Sequence, residues 1–174
     1  VSALLEEDTD TDFRATVCEA LAIWSLPGEG AESTAARIAQ RLVAEKQEVP
    51  KSMVELLIDR KAPELVTLLR FLWKDDPLEW ESEVIAAGSQ MESVVIDYIG
   101  SENRILRRSA FNILRRVGTE ESVPALREAL EGVGEEKDLK GLIQRAIEAI
   151  ENPEEALDEP VADPPGSPAP GSET

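Results

Sequence analysis

One apolar spacing recurs along this chain. Leu106, Ala110, Ile113, Leu114 and Val117 stand at i, i+4, i+7, i+8 and i+11. Leu139, Ile143, Ala146, Ile147 and Ile150 repeat that template 33 residues later, and Phe13, Val17, Ala20, Leu21 and Trp24 carry it near the start. At 3.6 residues per turn each set falls on one narrow stripe, so each segment reads as a helix with one face to bury. Recurrence at about one helical hairpin per step marks a stacked-helix array, whose units hide their apolar faces only against their neighbours. Arrays of this kind are scaffolds, and their chemistry is recognition.

The rest of the chain follows the same grammar. Helices are expected over roughly 12–26, 33–45, 52–58, 65–73, 80–87, 94–99, 104–117, 123–131 and 139–150, and no stretch keeps strand alternation. Pro27-Gly28-Glu29-Gly30, Gly100-Ser101-Glu102-Asn103, Gly118 and Gly132-Val133-Gly134 break the helices. Thr11 or Asp12 is placed to cap the first helix, Ser52 with Glu55 the third, Ser89 with Glu92 the sixth, and Asp138 the last. Asp76-Pro77 and Ser122 with Pro124 are further starts, and Pro63 fits an opening turn. The fold class is all-α: a short α-solenoid of roughly four helix pairs and a capping helix. Lys140, Gln144, Glu148 and Glu151 lie off the last stripe and give that helix a polar outer face.

Charge divides the chain into three parts. The net charge is −18. Residues 1–12 hold five acids and no base, and residues 151–174 hold seven acids and no base. Twelve of the excess negative charges therefore sit at the ends, and the domain over 13–152 is only mildly acidic. Residues 1–12 read as an acidic lead-in. From Pro153 the chain turns to Pro, Gly, Ser and acids, a composition that packs no core, so 153–174 reads as a disordered tail or linker. The acidity argues against nucleic acid and anionic membrane surfaces as partners. No apolar run reaches the ~20 residues of a membrane span, and no signal peptide is evident, which points to the cytoplasm. A start at Val1 rather than Met reads as a fragment, an alternative start or a processed end.

The stretch VVIDYIGSENRILRRSAFNILRRVGTEESVPALREALEG is similar to short HEAT-like repeats, of the subtype also seen in phycobilisome lyase-like proteins. Asn103 to Ala110, Leu114 to Gly118, Val123-Pro124-Ala125-Leu126 and Leu130 carry the resemblance, which is clearest over 94–150. It implies stacked antiparallel helix pairs and a non-catalytic scaffold for protein–protein interaction, or an accessory domain of a larger protein. It also brings two alternatives: a bilin-lyase-like or other small-molecule binder, and a nucleic-acid-binding helical repeat. The charge disfavours the second.

Candidate sites are few. Arg104, Arg107, Arg108, Arg115 and Arg116 share one helix with no acid. On a helical wheel Arg104, Arg108 and Arg115 fall together opposite the apolar stripe, with Arg107 and Phe111 beside them. Such a cluster can grip a carboxylate-rich or phosphorylated segment of another protein. The plainer reading pairs these arginines with acids of a neighbouring repeat, Glu79, Asp97 or Glu102, and a third lays the acidic tail over them. Trp73 and Trp80 bracket one turn and are the secondary candidate, as partner anchors or as core plugs. Asp8, Asp10, Asp12 and Glu19 have calcium-loop spacing, but Phe13 stands where that loop needs glycine, so no metal is expected. With no histidine and a lone Cys18, no catalytic constellation or cofactor site is expected either.

Overall fold

The computed structural model describes residues 10–25, 30–134 and 136–153. Among these residues the fold is all helix, with no strand. The helices are α1 (Thr11–Trp24), α2 (Ala31–Ala44), α3 (Lys51–Asp59), α4 (Leu65–Asp75) and α5 (Pro77–Ala87). After a 3₁₀ turn (Gly88–Met91) come α6 (Glu92–Ile96), α7 (Arg104–Val117), α8 (Val123–Gly132) and α9 (Lys137–Glu151). Most of the expected lead-in, the turn at 27–29 and the tail beyond 153 lie outside the described residues.

Several helix ends differ from the sequence reading, each for a local reason. Asp10, not Thr11 or Asp12, caps α1, its Oδ1 accepting from the Phe13 N–H at 2.7 Å. That places Asp10, Asp12 and Phe13 at a cap and in a helix rather than in a calcium loop. Ser52 does not cap α3, which begins one residue earlier; its hydroxyl donates to the Ala15 carbonyl at 3.1 Å and ties α3 to α1. Pro63 sits in the turn before α4 rather than in its first turn. Asp76 and Asn103 cap α5 and α7 through their side chains, and Pro77 takes the first position of α5. Asp138 lies inside α9, leaving the cap position to Glu136. Helices α2 and α3 close without glycine. Lys46 (φ 56°) and Lys61 (φ 50°) take the left-handed conformation, and the N–H groups of Gln47 and Ala62 reach back to Leu42 and Leu57. Those are Schellman closures, normally a glycine's position.

Packing follows chain order. Helix α1 packs on α3, α3 on α5, α5 on α7 and α7 on α9, forming one row; against that row α2 lies on α3, α4 on α3 and α5, α6 on α7 and α8 on α9. Arg104 at the start of α7 meets Asp138 at the start of α9, while Gly118 at the end of α7 lies against Ile150 at the end of α9. These two helices therefore run parallel. Leu106, Ala110, Ile113 and Leu114 are buried, as are Leu139, Ile143 and Ala146. On α1 the buried face is turned slightly from the template: Arg14, Val17, Cys18 and Leu21 are inside, while Phe13 is 39% exposed. The outward side of α9 is polar, with Gln144, Glu148 and Glu151 exposed.

Two polar contacts lock the centre. Trp73 is fully buried, meets Tyr98 edge to face at 5.5 Å, and its indole N–H donates to the Ser109 hydroxyl at 2.9 Å. The second is Glu92, a buried carboxylate. It accepts from the Thr119 N–H at 2.7 Å, from the Thr119 hydroxyl at 3.0 Å, and from the Ser122 hydroxyl in a short bond. Burial pushes this carboxyl up, but the hydrogen bonds from Ser122 and Thr119 together outweigh burial and hold it below its ordinary range. Glu92 and Ser122, expected to cap their own helices, are instead joined to each other across the turn between α7 and α8.

Candidate functional site

Helix α7 carries two chemistries on two sides. Its buried arc runs from Ser109 through Ile113, Leu106 and Ala110 to Leu114 and Phe111, wide because α5, α6 and α9 all pack on it. The remaining arc holds Arg104, Arg115, Arg108, Asn112, Ile105 and Arg116, with no acid among them. Ile105 is half exposed, an apolar side chain set among cations.

The arginines do not share one fate. The Arg104 guanidinium meets Asp138 at 3.3 Å, with both side chains more than half exposed, and Arg107 meets Glu136 at 3.3 Å. Bridges as open as the first are worth only about 0–1 kcal/mol. Among the described residues, Arg108, Arg115 and Arg116 make no ion pair. The expected internal partners are also corrected. Asp138 and Glu136, at the start of the following odd helix, take the arginines, whereas Glu79 is bound to Lys51 at 3.3 Å.

The parallel alignment adds a residue that inspection of α7 alone misses. Stepping from α7 to α9 by the template's 33 residues sets Gly141 against Arg108 and Arg145 against Asn112. Arg145 is exposed, and its Nε donates to the carbonyl of Gly141 in its own helix. A Cβ at Gly141 would meet nothing within 4 Å, so that part of the row is open. The repeat spacing itself was the signal that could have found Arg145.

No family model, curated protein or solved structure matches the chain. The site therefore rests on its own residues.

Three sequence candidates are relocated by the packing. Phe111 was expected beside the outward arginines, but it is 1% exposed. The Phe111 ring shares its surroundings with two small residues of α8, Ala125 and Ala129. Together with Ile99, Arg107, Glu128 and Val133 it lines a half-open cleft of about 400 Å³. The Nε of Arg107 is buried without a partner. Trp73 and Trp80 are core residues and not an exposed anchor pair. Lys51 sits 5.7 Å above the Trp80 ring and bonds Glu79 and Glu83, closing that side. The apolar side chains left exposed near this turn are Phe71 and Leu78.

Cys18 is fully buried, and burial first, then the charge of Glu19, pushes its thiol up to about 12. A thiol so placed is inert as a nucleophile. Among the described residues no cluster of His, Cys, Asp and Glu is arranged to hold a metal. No described helix is long and apolar enough to cross a membrane.

Proposed function

We propose that this chain is a short HEAT-like α-solenoid of stacked antiparallel helix pairs that acts as a non-catalytic scaffold for protein–protein interaction, in a cytoplasmic setting. Its binding element is the outward face of α7, extended by Arg145, and its partner is a short acidic segment of another protein. The observation that carries this reading is the set Arg108, Arg115 and Arg116, three cations without an ion-pair partner among the described residues, on one face of a chain of net charge −18. A row of odd helices each packed on the next is the arrangement a solenoid requires, and it supports the architectural half of the reading.

Charge also selects the length of the partner. At physiological salt the screening length is about 8 Å, so the local field at α7 counts for more than the distant acidic ends. A helix of 14 residues spans about 21 Å. A short acidic segment fits within that length, whereas duplex DNA would carry its phosphates on over the acids of α5 and the rest of the row. Nucleic acid is accordingly the weaker ligand.

The test is a titration of a fluorescent decaglutamate peptide against the full chain and against Arg108→Glu/Arg115→Glu/Arg116→Glu. Loss of two charge-assisted contacts at about 1.5 kcal/mol each predicts at least a tenfold weaker Kd in the variant. Equal affinity in both chains, or tighter binding of a DNA duplex than of the peptide, removes the reading.

The cleft at Phe111 and Arg107 gives the small-molecule reading its one foothold. Its volume lies in the range of small-ligand sites, and the unpartnered Arg107 Nε offers a donor to an anionic group. An absorbance titration with a linear tetrapyrrole, with Ala129→Trp filling the cleft as control, separates this reading from the first.

A further inference from the structure

The seam between α7 and α8 is left open by the packing beside it. Helix α8 packs on α9, and the even helix before it, α6, has five residues where α2, α4 and α8 have 14, 11 and 10. Helix α6 lends no residue to the seam; the turn behind it supplies Ile99 and Gly100. What remains is the cleft of about 400 Å³ at Phe111, whose volume falls near the lower end of small-ligand sites, about 300–1,000 Å³.

This cleft is apolar ground with two charges. Ile99, Phe111, Ala125, Ala129 and Val133 supply the apolar lining. Arg107 supplies a cation. Glu136 holds one end of its guanidinium at 3.3 Å, which orients the side chain, while its Nε is buried without a partner. A buried donor without an acceptor is rare in folded chains and calls for one. Glu128 supplies an anion from α8; it is exposed, and among the described residues its carboxylate makes no ion pair or hydrogen bond.

Each charge excludes a class of ligand. A purely anionic molecule answers Arg107 but is repelled by Glu128. A purely cationic one pairs with Glu128 and leaves the Arg107 Nε buried and unsatisfied. A wholly apolar one answers neither. A carboxylate and an ammonium carried on one apolar body answer both charges and the lining together.

Resting on the small-molecule reading of this cleft, and not on the arginine face of α7, we infer that it binds an apolar α-amino acid. The ligand carboxylate accepts from Arg107 Nε, its ammonium donates to Glu128, and its aromatic or branched side chain lies on Phe111, Ala125 and Ala129.

The test is amide-shift mapping on the full chain, titrated with phenylalanine and with leucine. Phenylpropanoate and phenylethylamine, which each keep one of the two charges, run in parallel. One charge-assisted hydrogen bond corresponds to about tenfold in Kd. At least one amino acid should bind with a Kd of about 1 mM or tighter, and both single-charge analogues about tenfold more weakly. The shifts should fall at 99–100, 107–111 and 125–133. Glu128→Gln alters an exposed position and keeps the fold; it should weaken the amino acid about tenfold and leave phenylpropanoate no weaker. Ala129→Trp, which fills the cleft, should abolish the shifts.

An analogue that binds as well as the amino acids, shifts that map elsewhere, or an amino-acid affinity unchanged by Glu128→Gln overturns the inference. So does the absence of shifts with both amino acids at about 10 mM. The tetrapyrrole titration separates that failure from failure of the reading beneath it. Tetrapyrrole bound with amino acids refused leaves a ligand cleft of another class, and refusal of both removes the cleft reading as well.

Discussion

Glu92→Gln probes how the turn between α7 and α8 is held. The carboxylate receives the Thr119 N–H, the Thr119 hydroxyl and the Ser122 hydroxyl, and Ser122 is fully buried. Glutamine keeps one acceptor oxygen, which best serves the Thr119 N–H and Ser122, and sets its amide where the Thr119 hydroxyl can turn to accept. Bond number is then nearly conserved and charge is lost. Hydrogen bonds to a charged group are worth about 1.5–3 kcal/mol against about 1 for neutral ones, so the substitution costs about 2 kcal/mol. Glu92→Ala strands the donors outright and costs about 4 kcal/mol. The carboxyl titrates below its ordinary value of 4.5 in the fold, so its contribution is fully present above the unfolded value and is lost as pH falls through the lowered folded value. Urea unfolding of the parent and Glu92→Gln should therefore differ by about 2 kcal/mol at pH 7 and pH 5.5, with the gap closing below about pH 4.5. No gap at pH 7, or a gap unchanged at pH 3, refutes the assignment of charge as the source.

Other substitutions address the helix contacts. Ser109→Ala leaves the Trp73 indole N–H buried without an acceptor and should lower stability by about 1–3 kcal/mol, read from the thermal midpoint. Gly118→Ala puts a Cβ 2.4 Å from the Leu114 carbonyl oxygen and 2.8 Å from Ile150 Cδ1. Its cost of about 1–3 kcal/mol should appear as a lower urea midpoint. Lys61→Gly relieves a left-handed backbone and should raise stability by about 0.5–1 kcal/mol in the same assay.

What the sequence disclosed about the fold is what local period and local chemistry determine. The α7 stripe named Leu106, Ala110, Ile113 and Leu114 because 3.6-residue spacing is visible without neighbours. Phe111 was misplaced because its burial is set by neighbours from other elements, and a wheel drawn on one helix contains no second helix. The caps divide in the same way. Asp76 bonds its own helix start and was legible, while Asn103 does the same but was read only as part of a break; Ser122 and Glu92 bond each other 30 residues apart and were not legible as a pair. The Schellman closures at Lys46 and Lys61 were hidden because the usual glycine is missing. At the candidate site, the sequence supplied which residues are cationic, and only three-dimensional pairing sorted Arg104 and Arg107 from Arg108, Arg115 and Arg116.

The row of odd helices has a kinetic consequence. Among the described residues, side-chain hydrogen bonds that tie one helix to another include Arg127–Glu151, 24 positions apart, and Arg60–Ala22, 38 apart. Each docking step thus closes only a short loop, and the loop-closure entropy is met in small instalments along the row rather than in one long-range event. Low contact order of this kind favours fast folding that starts at any well-packed pair and spreads outward. Hydrogen exchange should accordingly be slowest around Trp73 and Ser109 at the centre and quicken towards α9, the last described helix of the row.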